Sequence, residues 1–175
     1  MKNTTSEQEQ ISWFSLSPDV AVYKLLAHIK AGCPLSNKVQ LMLFSLPVRK
    51  CKLVLLEYIG YGGSLCDDAD VKIFSLPVND CKEVLLEYFR HNGCLCDRAD
   101  VKIFGLPFYA CKEVLLAYFK AGNYLCDDAE VLMIKLPADI RKEVIAEYKF
   151  MLCDRAMSEI SKLPPAECNE LMGVL

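Results

Sequence analysis

Histidine is almost missing from this chain, with two in 175 residues, and tryptophan occurs once. Neither His28 nor His91 pairs with a serine or cysteine and a third orienting group, so nucleophilic or acid–base catalysis finds no constellation here. Long apolar runs are missing as well. Charged residues break up the 53% hydrophobic composition well before the roughly 20 residues a membrane helix needs. Neither charge sign dominates: 20 Lys and Arg against 23 Asp and Glu leave a net charge of −3, which lacks the basic footprint of a general nucleic-acid binder. The opening MKNTTSEQEQ lacks the apolar core of a secretory signal. No enzyme, no cofactor and no membrane anchor is expected.

What the chain has is repetition. Segments 41–70, 71–100 and 101–130 follow one another without a gap, and each agrees with the next at 18 of 30 positions. Weaker copies occupy 11–40 and 131–157, the latter three residues short, and a partial copy runs over 158–175. Repetition at a fixed period of this size marks an array of supersecondary units that stack to share a core.

Each unit reads as two helices. After Pro77, Cys81, Val84, Leu85, Tyr88 and Phe89 fall on one face of a 3.6-residue helix. Pro47, Pro107 and Pro137 mark the same start, and Gly93, Gly63 and Gly122 are expected to end the helix. A shorter helix is expected to open on Asp67, Asp97, Asp127 and Asp154 as N-caps. Ser6 and Glu9 have capping-box spacing for an opening half-unit. The predicted fold is all-α: an α-solenoid of tandem ~30-residue two-helix repeats with about twelve helices, spanning 7–175 as a single domain after a disordered tail, 1–6. The apolar ending LMGVL suggests a C-terminal face able to associate end to end.

The helical hairpin with its Leu-Pro corner resembles the HEAT-like repeat class, and CKEVLLEYFRHNGCLCDRAD carries a fainter ankyrin-like resemblance. The resemblance covers almost the whole chain and implies a protein-binding scaffold; it assigns no functional residue.

Ten cysteines call for an account. Cys51, Cys81, Cys111 and Cys168 share one repeat position, expected on the buried face of the long helix, and Cys66, Cys96, Cys126 and Cys153 share another. Equivalent positions in stacked units lie roughly 10 Å apart, beyond the ~7 Å limit between the Cα atoms of a disulfide. Unbridged thiols in a reducing, cytoplasmic compartment follow, including the cytosol of a host cell if the protein is delivered there. His91, Cys94 and Cys96 form H-x2-C-x-C without a fourth ligand, so no metal is assigned. GYGGS at 60–64 lacks the lysine and preceding strand of a phosphate loop.

Differences between near-identical units point to a binding surface. One divergent cluster opens the long helix: Arg49 and Lys50, Asn79 and Asp80, Phe108 and Tyr109. The other follows it: Tyr61, Arg90, His91 and Tyr124. Drift at tolerant surface sites is one reading; a graded strip for a protein partner, rich in Tyr and Arg anchors, is the sharper one. The alternative is a nucleic-acid reader using the ladder Lys52, Lys82, Lys112 and Lys142, although Glu83, Glu113 and Glu143 stand beside three of these lysines.

Overall fold

A computed structural model describes residues 5–148 and 150–173. Among them are twelve α-helices and one 3-10 turn, Trp13–Ser15, with no strand. Short and long helices alternate. The short ones are α1 (Glu7–Ser12), α3 (Asn37–Leu43), α5 (Asp67–Ile73), α7 (Asp97–Ile103), α9 (Asp127–Ile134) and α11 (Asp154–Ile160). The long ones are α2 (Pro18–Lys30), α4 (Val48–Gly60), α6 (Val78–Arg90), α8 (Phe108–Lys120), α10 (Ala138–Glu147) and α12 (Pro165–Met172). The fold is the expected all-α array of two-helix repeats. Part of the expected tail, residues 1–4, lies outside the described residues, as do the last two residues of the LMGVL ending; Ser6 caps α1 by accepting the Glu9 N–H at 3.2 Å.

Packing divides the chain into two compact units, Met1–Gly93 and Cys94–Leu175. In the first, α2, α4 and α6 stack as one layer and α1, α3 and α5 as another. In the second, α8, α10 and α12 form the long-helix layer and α7, α9 and α11 the short-helix layer. Each long helix buries the same columns, for example Val54, Leu55 and Ile59 in α4 and Val114, Leu115 and Phe119 in α8. Every fully buried side chain of this size contributes about 1.5–3 kcal/mol of hydrophobic stabilisation.

The hairpin corner follows from the Phe-Ser-Leu-Pro phrase. At the end of α3, Ser45 N–H donates to Met42 O and Leu46 N–H to Leu43 O, both at 3.0 Å. Pro47, with φ −50° and ψ 137°, then caps α4 without needing a donor of its own.

Three local expectations change. The short-helix N-caps are Cys66, Cys96, Cys126 and Cys153, in extended backbone, and the aspartates follow as the first helical residues. There they face the positive end of the helix dipole. The left-handed residues that end the long helices are Gly32, Gly62, Asn92 and Gly122, with φ between 60° and 83°. Gly63 and Gly93 sit one place later for a different reason: a Cβ there would lie 2.4 Å from the Tyr58 ring or 2.3 Å from the Tyr88 ring. Finally, Cys51, Cys81 and Cys111 are buried but Cys168 is only half-buried, because its helix is the last of the long-helix layer in its unit.

Candidate interaction surface

A buried polar position recurs in the short helices of each unit. Gln10, Gln40, Asp70, Asp100 and Glu130, thirty residues apart, are all buried. Within each unit they reach forward to the next N-cap. Ser36 N–H donates to Gln10 Oε1 at 3.3 Å and Cys66 N–H to Gln40 Oε1 at 2.8 Å. In the second unit Cys126 N–H donates to Asp100 Oδ2 at 3.2 Å and Cys153 N–H to Glu130 Oε2 at 2.7 Å. The Tyr118 and Tyr148 hydroxyls close on Asp100 and Glu130. Burial and the adjoining carboxylate push both tyrosines up. The column sets the register between successive repeats, since a displaced neighbour would leave buried polar groups unpaired. The sequence signal that marks it is a polar residue immediately after the buried Ala69, Ala99 and Ala129.

The divergent residues fall at the two ends of the long helices. Arg49, Lys50, Asn79, Asp80, Phe108 and Tyr109 sit at the starts of α4, α6 and α8; Tyr61, Arg90, His91 and Tyr124 sit at or beyond their ends. A 13-residue helix separates its start from its end by about 20 Å, so within each unit the two clusters lie on separate surfaces. Arg49, Asn79, Phe108 and Tyr109 are exposed. Lys50 pairs with Asp19 at 2.7 Å, and Asp80 with Lys52 at 2.7 Å. Arg90 and His91 both engage Glu87. Cys94 Sγ lies 3.6 Å from the Tyr118 hydroxyl.

Three of the four ladder lysines are committed to ion pairs between repeats. Lys52 meets Glu83 at 2.8 Å, Lys112 meets Glu143 at 2.5 Å, and Lys142 meets Glu170. Arg141, which flanks the ladder in sequence, is buried in the column held elsewhere by Cys51, Cys81 and Cys111. Its guanidinium donates to Ile134 O at 2.9 Å and Leu136 O at 3.2 Å and pairs with Glu167.

The three missing residues of the fifth repeat produce the largest departure from the pattern. Long helix α10 has 10 residues where α4, α6 and α8 have 13. The chain leaves it at Tyr148 in extended backbone, φ −79° and ψ 103°. One helical turn is lost, and Phe150 and Met151 occupy the place of the polar turn used in other repeats. Phe150 packs edge to face against Tyr124 with ring centroids 5.8 Å apart and at a tilt against Tyr148 at 5.6 Å. Met151 is 96% exposed, Tyr124 63% and Phe150 40%. These side chains line an open groove of about 1090 Å³ in the second unit, walled by the first turns of α7, α9 and α11. Sequence reasoning found Tyr124 but missed Phe150 and Met151, whose exposure comes from the shortened helix.

Asp97, Asp100 and Cys126 beside this groove place ligand-type atoms within 4.8 Å of one another. The same columns hold Asn37, Gln40 and Cys66 in the first unit, and both sets are joined by the repeat's own hydrogen bonds. Cys126 Sγ donates to Asp97 O at 3.5 Å and Cys66 Sγ to Asn37 O at 4.0 Å. Burial pushes the core thiols up, Cys51 and Cys81 to about 12 and Cys111 to about 11, which removes thiolate chemistry from them at neutral pH. No helix among the described residues is long and apolar enough to cross a membrane.

No family model matches the chain. Nor does any curated protein or solved structure.

Proposed function

We propose that this protein is a non-enzymatic protein-interaction module of the HEAT-like class, working in a reducing compartment such as the cytoplasm and binding a partner through the groove of its second unit. The observation that carries this reading is the exposed apolar surface of Tyr124, Phe150 and Met151 over an open groove. Exposed apolar clusters rimmed by polar residues mark interaction sites, and methionine adapts to irregular partners. Supporting it, the groove lies at the one interior repeat that breaks the period, while the regular face is occupied by inter-repeat ion pairs. A preformed surface binds with little ordering cost.

The alternative, a nucleic-acid reader on the lysine ladder, needs lysines that leave their glutamates for phosphates. Capture from lysate with and without nuclease separates the two. A stoichiometric protein that survives nuclease and is lost with Tyr124→Ala plus Met151→Ala supports the groove. Binding that vanishes on nuclease treatment and falls steeply with salt makes the ladder the site.

A further inference from the structure

The groove lining carries charge as well as apolar side chains. Four carboxylates line it, Asp97, Asp127, Asp128 and Glu130, against two guanidiniums, Arg98 and Arg155. Arg155 is paired with Asp128 at 2.6 Å, and Glu130 is bound by Cys153 and Tyr148. Asp97 and Asp127 have no ion pair among the described residues and are exposed on the wall. In the same lining, Tyr124 and Phe150 pack edge to face and remain partly exposed, and aromatic surface attracts a cation as well as an apolar group. Carboxylates and aromatic rings plus a methionine in one lining together complement one kind of ligand.

Resting on the groove reading above, we infer that the occupant is a segment of a partner protein in which a lysine or arginine stands beside an apolar anchor residue. The anchor packs on Met151 and Phe150, and the cation lies between Tyr124 and the Asp97 and Asp127 carboxylates. An acidic segment is rejected by the same carboxylates. An uncharged one gains only the apolar contact.

The test is selection of random 12-residue phage-displayed peptides on the full chain, followed by fluorescence anisotropy of synthetic copies. The expected result is enrichment of peptides with Lys or Arg within two positions of Leu, Ile, Phe or Trp. Their affinity should fall at least tenfold with Tyr124→Ala plus Met151→Ala, and at least fivefold with Asp97→Asn plus Asp127→Asn. The Asp97→Asn, Asp127→Asn protein should also show a weaker salt dependence. These four positions are at the surface, and circular dichroism of each variant verifies the fold. Acidic or uncharged peptides that still require Tyr124 and Met151 overturn this inference and leave the groove reading standing. Peptides indifferent to Tyr124 and Met151, or no enrichment at all, overturn the groove reading too.

Discussion

Glu130 accepts the backbone N–H of Cys153 on Oε2 at 2.7 Å and the Tyr148 hydroxyl on its other oxygen. One repeat earlier, Asp100 serves Cys126 and Tyr118 with a side chain one methylene shorter, and its Oδ1 is buried without a hydrogen bond among the described residues. Burial pushes the Asp100 carboxyl from 3.8 up to about 7, against the opposing hydrogen bonds from Tyr118 and Cys126. Between those two values the folded state binds more protons than the unfolded one, so stability falls as pH rises from 4 to 7. The shift corresponds to about 4 kcal/mol. Asp100→Gln, which copies the first unit's Gln40, should flatten that slope and add about 1–3 kcal/mol at pH 8. Urea denaturation at pH 5 and pH 8 measures both. Equal slopes in the two proteins would show that Asp100 is not the group responsible.

Arg141 should be the most sensitive single position of the second unit. Arg141→Leu strands the Ile134 and Leu136 carbonyls and leaves Glu167 without its partner. The expected loss is about 3–5 kcal/mol, read from the urea midpoint. A change under 1 kcal/mol would mean that water replaces the guanidinium there.

How far the sequence foretold this molecule differs from place to place. The thirty-residue period, the proline-started long helix and the twelve-helix array were legible because repetition multiplies a weak local signal. Asp67, Asp97 and Asp127 were misread as caps because an N-cap and a first-turn acid satisfy the same dipole and differ by one residue. The buried column at Gln40, Asp70 and Asp100 was invisible because polar residues normally read as surface. Phe150 and Met151 escaped notice because a deletion shows in sequence as a lost match, and its effect on helix length emerges only in three dimensions.

The turn after α6 offers a paired test of backbone strain and packing. Asn92 holds φ 60° where the equivalent residues are glycines, so Asn92→Gly should stabilise by a few tenths to about 1 kcal/mol. Gly93→Ala pushes a methyl into the Tyr88 ring and should destabilise by about 1–3 kcal/mol. Thermal melts of the two variants should move in opposite directions.

Thiol reactivity should follow burial. Cys94 is exposed and should be alkylated first in the native protein, while Cys51, Cys81 and Cys111, pushed up to about 11–12, should react only on unfolding. Timed iodoacetamide labelling read by peptide mass spectrometry gives the order. Early labelling of Cys81 would mean that α6 opens far more readily than its packing implies.

The groove itself is tested most directly by methionine-methyl NMR of the full chain titrated with the partner protein retained after nuclease. Met151 lines the groove and is almost wholly exposed, Met133 is fully buried in α9, and Met172 is half-exposed on α12. The account predicts that the Met151 methyl signal shifts or broadens with partner concentration while Met133 and Met172 stay in place. A titration that moves Met172 or Met42 and leaves Met151 unchanged would contradict it.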